Sequence, residues 1–179
     1  MGAIKKEYLP SYTYDDYKLW EGEWELIYGV PYAMAPAPMI KHQAISNAIA
    51  WQLQDALQDC KSCQALLPVD WKIDDSTVVQ PDNLIICHKP QKEAYIKKAP
   101  KVIFEILSKS TAVVDKNLKY ELYEKEGVSY YIIVDPNESI AKVYRLKEGR
   151  YIKLCDAHED RVDFDLEMCT FTFDFSKIW

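Results

Sequence analysis

No apolar run in this 179-residue chain approaches the ~20 residues that a bilayer-spanning helix needs. The opening stretch, Met1-Gly2-Ala3-Ile4-Lys5-Lys6-Glu7-Tyr8, has no apolar signal core. Lys6 stands where a myristoylation motif wants Ser or Thr. A cytoplasmic location with no membrane partner is expected. Internal repeats and low-complexity segments are missing, and so is any visible separate recognition domain. With 49% hydrophobic and 28% charged residues, the composition is globular. We expect one domain over residues 1–179, with a core at about 39–135, an N-terminal extension over 1–38 and a β addition over 138–179.

A disulfide framework is not expected, because the five cysteines are odd in number. Cys60 and Cys63 form one C-x-x-C. A second pair at zinc spacing is lacking, and Cys87, Cys155 and Cys169 are scattered. Reduced, mostly buried thiols are the expectation, with a structural zinc site as the alternative.

Positive charge is lacking overall: the net charge is −6. The charge is unevenly spread, however. Asp156, Glu159, Asp160, Asp163, Asp165, Glu167 and Asp174 face only Arg161 within 156–174, so this stretch carries the whole excess. Residues 81–125 hold nine lysines and six acids, a local balance of +3. A basic rim around an acidic centre suits a phosphate backbone, although lysine-rich loops are usually solvated surface.

What the chain does have is concentrated between residues 81 and 120. Val78 to Cys87 and Lys101 to Leu107 are rich in β-branched and apolar residues and read as strands. Alternation puts Ile103, Glu105 and Leu107 on one face. Glu105 is therefore a carboxylate among apolar neighbours, and acids are rarely buried unless paired or metal-bound. If Asp82 lies beside it on the neighbouring strand, the two share a proton or hold a cation. Oxygen ligands favour a hard ion, Mg²⁺ or Mn²⁺.

The rest of the chain frames this window. Ser11 to Trp20 reads as a short helix capped by Thr13. Trp24 to Met34 reads as a hairpin turning at Tyr28-Gly29, and Ala35-Pro36-Ala37-Pro38 breaks regular structure. A helix is predicted from Met39 to Gln58, with Ile45, Ile49, Leu53 and Leu57 as its stripe and His42 and Gln43 in its first turn. Gln64 to Ile73 is a predicted strand. The segment Ser108-Lys109-Ser110-Thr111 leads into a second helix that ends near Gly127, a fitting C′ glycine. Val114, Leu118 and Leu122 form its apolar stripe, with Asp115, Lys119 and Tyr123 beside them. Tyr130 to Val134 is a strand, and Ile140–Leu146 with Arg150–Leu154 a last hairpin. The fold class is α/β (α+β): a mixed sheet flanked by helices, core order α-β-β-β-α-β, with an N-terminal helix and hairpin and a C-terminal hairpin.

The stretches Trp24 to Pro31, Met34-Ala35-Pro36, His42-Gln43, Gln80-Pro81-Asp82, Phe104 to Ser108, Ser110-Thr111-Ala112, Asp115 to Lys119 and Gly127 to Pro136 resemble the PD-(D/E)XK restriction-endonuclease superfamily. They are closest to its bacterial Uma-type family, over most of residues 12–146. The resemblance implies a restriction-endonuclease-like core in which Asp, Glu and Lys meet at a fork in the sheet. Asp82 becomes the motif aspartate and Glu105 the acid of the (D/E)XK element. The pattern departs at Leu107, where lysine is usual; the family moves the lysine to the following helix, here Lys119. Lys109 competes at E-x-x-x-K spacing, and Tyr28 replaces a usual aspartate.

The implied function is a metal-dependent deoxyribonuclease. Asp82 and Glu105, with the carbonyl of Ile106, would hold Mg²⁺ or Mn²⁺, and Lys119 would orient water or stabilise the pentacovalent state. Glu25, His42, Gln43, Asp115 and Lys109 are accessory candidates. The substrate would be DNA and the enzyme a homodimer. Each residue also has a plainer reading. Asp82 could satisfy backbone amides, Glu105 could join a structural ion pair, Lys119 could simply pair with Asp115, His42 could be an ordinary helix residue and Glu25 could pair on its hairpin. Two other functions stay open: a non-cutting nucleic-acid-binding module on the same fold, and a homo-oligomeric scaffold using the 13 tyrosines and five tryptophans.

Overall fold

The computed structural model describes residues 10–34, 39–89, 92–108 and 112–179. Predicted features at Ala35-Pro36-Ala37-Pro38 and at Lys109-Ser110-Thr111 lie outside the described residues. The chain opens with helix α1 (Tyr14–Tyr17), where Thr13 and Asp16 cap each other as expected. A hairpin follows, β1 (Trp24–Ile27) and β2 (Val30–Ala33). Its turn residues Tyr28 and Gly29 have φ of 53° and 79°. Both are left-handed, the twist that a two-residue hairpin needs. Glycine takes that backbone freely; tyrosine takes it against Cβ sterics.

Helix α2 (Ile40–Ala56) matches the apolar periodicity: Ile45, Ile49 and Leu53 are buried. Strands β3 (Gln64–Leu66), β4 (Asp70–Asp74), β5 (Thr77–Val79), β6 (Asn83–Ile86), β7 (Tyr95–Ile96) and β8 (Val102–Ile106) come next. Three strands were expected here and six are present. Two of the differences have one cause. The predicted strand 64–73 breaks at Leu67-Pro68-Val69, and 78–87 breaks at Gln80-Pro81-Asp82. Proline has no N–H for the ladder, so a strand ends or changes sheet at it.

The halves do change sheet. One sheet has the order β2-β1-β5-β4-β7. The other has the order β11-β10-β9-β8-β6-β3. Here β9 is Tyr130–Asp135, β10 is Ile140–Lys147 and β11 is Arg150–Ala157. In that sheet only β8 and β9 run parallel, joined through a helix; its other pairs are antiparallel. The segment Gln80-Pro81-Asp82 is thus the point where two sheets part. The architecture is α+β with mixed sheets.

The connecting helix is also not the regular one expected. Val114–Leu118 forms a π-helical turn, and helix α3 (Lys119–Glu126) continues from it. Gly127 closes it in the left-handed region, φ 82°. The stripe Asp115, Lys119, Tyr123 is buried, while Val114 and Leu118 are only partly so. The polar stripe is the inward one.

The C-terminal addition holds two hairpins rather than one. After β10–β11, strands β12 (Arg161–Asp165) and β13 (Thr170–Asp174) pair over the acidic stretch. Phe164, Leu166, Phe171, Phe173 and Phe175 point inward and share a core with α2, Phe104 and Tyr130. The acids face outward, at period two. A second core, with Ile103, Leu122, Tyr123 and Tyr131, lies under β1, β4 and α3. The expectation of scattered thiols is corrected as well. Cys60 is joined to Cys169 and Cys63 to Cys87, leaving Cys155 free. Sequence spacing carried no sign of this, because the partners come from a helix end, a strand end and a hairpin turn.

Phe173 packs against both Phe104 and Phe175. Phe173→Ala is expected to cost about 3–5 kcal/mol, the usual cost of emptying a buried aromatic site. Urea unfolding measures it; a change within error would detach the C-terminal hairpin from the core.

Candidate active site

The fork at Pro81 collects the acids. The β6–β8 register pairs Asn83 with Phe104, so one step further sets Asp82 against Glu105, as the sequence suggested. Asp82 Oδ2 accepts the Ile106 N–H at 2.7 Å. On the other side of the fork, Glu25 of β1 accepts the Gln80 N–H at 2.8 Å. The two N–H groups are bound by carboxylates rather than by a neighbouring strand, so the acids hold the fork open and the fork holds the acids.

Lys119 is the centre of the cluster. Its Nζ lies 2.8 Å from Glu25, 3.0 Å from Glu105 and 3.3 Å from Asp115. All four side chains are buried, at 3%, 3%, 1% and 2% exposure for Glu25, Glu105, Asp115 and Lys119. The contact to Asp115 is an ion pair without hydrogen-bond alignment, for Asp115 Oδ1 has no hydrogen-bond partner among the described residues. Tyr123 donates to the same Glu105 oxygen at 2.7 Å, and Tyr131 donates to the Asp115 carbonyl at 2.8 Å. That carbonyl lies within the π turn. Local widening of the helix at 114–118 accompanies its acid's entry into the cluster, a frequent feature of functional sites.

Asp82 and His42 sit at the edge of this cluster and are partly open to solvent. His42 Nε2 is 3.3 Å from Asp82 Oδ2. Ser46, one turn further along α2, donates to the side chain of buried Asn83 at 3.0 Å and fixes the start of β6. Gln43, the next residue along α2, is exposed. Lys109 lies outside the described residues.

Burial drives the electrostatics. It pushes the Glu105 carboxyl well above the ordinary carboxylate range, against the pull of Lys119. Glu25 is raised for the same reason, opposed by Lys119 and the Gln80 amide. Burial alone would lower the Lys119 amine; Glu105 and Glu25, with Tyr123 and Asp115, reverse this and hold it well above 10.5. Burial also lowers His42, but Asp82 and the Ile106 backbone overcome it, so the imidazole is raised. Four carboxyl groups against one lysine and one imidazole leave a surplus of acidic oxygens in a mostly buried site. Together with the orphaned Asp115 oxygen, this surplus fits a hard divalent cation, whose natural ligands are oxygens.

Of the residues singled out from sequence, Glu25, His42, Asp82, Glu105, Asp115 and Lys119 lie together here. Sequence reasoning missed Gln80, which acts through its backbone amide, Asn83, which acts through its side-chain amide, and Ser46 and Tyr131, which act through their hydroxyls. Tyr123 was visible on the stripe with Lys119 and carried a signal: a polar group at i+4 from a buried lysine.

A mixed sheet that forks around an acid cluster, with a helix crossing from β8 to the parallel β9, is the restriction-endonuclease-like fold. The chain belongs to the Uma2 family, described as "putative restriction endonuclease", whose family model matches residues 14–169. The crystal structure of a "putative nuclease belonging to DUF820" from Anabaena variabilis has the same fold, with a TM-score of 0.74. It is 20% identical, and the match covers 93% of this chain and 96% of that one. No curated protein matches the chain.

Two outcomes test the site. His42 should titrate above 6.5 by NMR, and Asp82→Asn should lower its pKa. A raised histidine stabilises the fold below 6.5 and loses that contribution as pH rises through its folded pKa. An unchanged His42 titration in the variant would disprove the pairing. Lys119→Ala leaves three buried acids without their cation and is expected to cost about 3–5 kcal/mol in denaturant unfolding. A loss below about 1 kcal/mol would mark the network as solvent-screened.

Proposed function

We propose that the chain is a metal-dependent deoxyribonuclease that hydrolyses phosphodiester bonds. One observation carries this reading: three acids from three separate elements, Glu25, Glu105 and Asp115, converge on Lys119, beside the Pro81-Asp82 turn where the sheets part. Asp82 and Glu105 are the proposed ligands of a Mg²⁺ or Mn²⁺ ion, with the Ile106 carbonyl as a further donor. When bound, such an ion lowers the pKa of water and offsets phosphate charge.

The remaining roles belong to the chain itself. Lys119 places a fixed positive charge beside Glu105, where it can orient a nucleophilic water and stabilise charge on phosphorus oxygens. Glu25 and Asp115 hold that amine in position, and Tyr123 fixes the Glu105 oxygen it shares. Asp82, held by the Ile106 amide, is kept from turning away. His42, at the solvent edge, neutralises Asp82. The lysine excess of residues 81–125 supplies contacts to a DNA backbone. Cutting both strands favours a homodimer, and a DNA substrate favours the cytoplasm.

A second reading keeps the fold and removes the chemistry. Lys119 saturates the acids in a nearly closed cluster, as a non-cutting module would have it. Plasmid nicking with added Mn²⁺ decides between them. Wild type should nick, and chelation or Glu105→Gln should abolish nicking. Lys119→Met should slow turnover about 10²–10³-fold, the usual cost of removing one preorganised charge, while salt-sensitive DNA binding persists. DNA binding without nicking across supercoiled, linear and single-stranded substrates would establish the second reading.

A further inference from the structure

Four cysteines from three distant parts of the chain meet at the base of the second sheet. Cys60 and Cys63 lie in the turn after α2, Cys87 directly after β6, and Cys169 in the turn between β12 and β13. The Cys63 N–H bonds to the Cys60 carbonyl at 3.1 Å, a tight turn that carries both side chains to the core. The sulfurs of Cys60, Cys63 and Cys169 all lie within 4.8 Å of one another, and Cys87 is joined to Cys63. Cys169 and Cys63, which are not joined to each other, are 4.0 Å apart at sulfur. Two independent cross-links have no need to touch; four ligands of one centre must.

We propose that these four cysteines bind a structural zinc ion, a tetrathiolate centre remote from the acid cluster. Zinc takes four thiolates tetrahedrally, often with two of them from a C-x-x-C turn. Ligation requires that the Cys60–Cys169 and Cys63–Cys87 bonds first be reduced, each by two electrons from a cellular dithiol that leaves as its own disulfide, after which the four thiols lose their protons to the zinc. The inference rests on the nuclease reading in a single respect: a protein that acts on DNA works where thiols are kept reduced. The centre ties the end of α2 and the end of β6 to the C-terminal hairpin. It thereby steadies β6, the strand that begins directly after Asp82. Cys155, on β11, takes no part.

Metal analysis of protein purified with a reductant tests this. Wild type and Cys155→Ser should each carry about one zinc per chain, released when a mercurial blocks the thiols. Cys169→Ser should lower the zinc content at least about tenfold. Should that variant fail to fold, Co²⁺ added to reduced wild type should give the ligand-field bands of a tetrahedral tetrathiolate. Wild type free of zinc and without those bands would overturn the proposal, whether its thiols are free or its mass shows two disulfides. Mn²⁺-dependent nicking is read separately, so a zinc-free protein that nicks would refute this inference alone, and a zinc-bearing protein that never nicks would refute the nuclease reading alone.

Discussion

The buried Lys119 ammonium is the interaction on which the structure turns. An isolated charge at that depth is prohibitive, and so is an isolated Glu25, Glu105 or Asp115. None of the four can be buried without the others. The cost of desolvation is offset only because β1, β8 and the π turn before α3 each deliver a carboxylate to one amine. The placement of the hairpin, the central strand and the crossover helix is therefore linked. Replacing the network by apolar residues of similar volume is often neutral or stabilising in such cases, so stability alone does not explain its presence.

The second constraint is Pro81. By ending the β5 ladder it frees the Gln80 amide for Glu25 and turns the chain into the other sheet. The next residue, Asp82, then caps the Ile106 amide at the end of β8. A fork in a sheet is a place where backbone groups lose their strand partners. Here side-chain carboxylates replace those partners, which fixes the acids to within hydrogen-bond reach of the backbone. The same loss of pairing gives an open edge at Asp82 and His42, the partly exposed part of the cluster.

The C-terminal hairpin shows how composition misleads. Charge alone gives no sign of a buried face in a stretch that holds the entire negative excess. Its aromatic residues nevertheless alternate with the acids, and Phe164, Phe171 and Phe173 complete the core over α2. The acids are simply the outer face of a strand pair. Cys169 in its turn then reaches the cysteines of two other segments.

Local pattern alone specified the helix at 40–56, the Tyr28-Gly29 hairpin, the strand carrying Glu105, and the stripe of Asp115, Lys119 and Tyr123. These depend on periodicity, turn residues and caps, all of which act within a few positions. The candidate acids and lysine were legible too, because a carboxylate inside an apolar strand is costly wherever that strand packs. Tertiary structure alone decided which sheet each half-strand joins, that the polar stripe of α3 faces inward, that Glu25 enters the cluster and that four cysteines converge. The reason is physical: these outcomes depend on pairings between residues tens of positions apart, such as Glu25 with Lys119 and Cys60 with Cys169. Such pairings are selected by the shared cost of burying charge and apolar surface, which no short window of sequence contains.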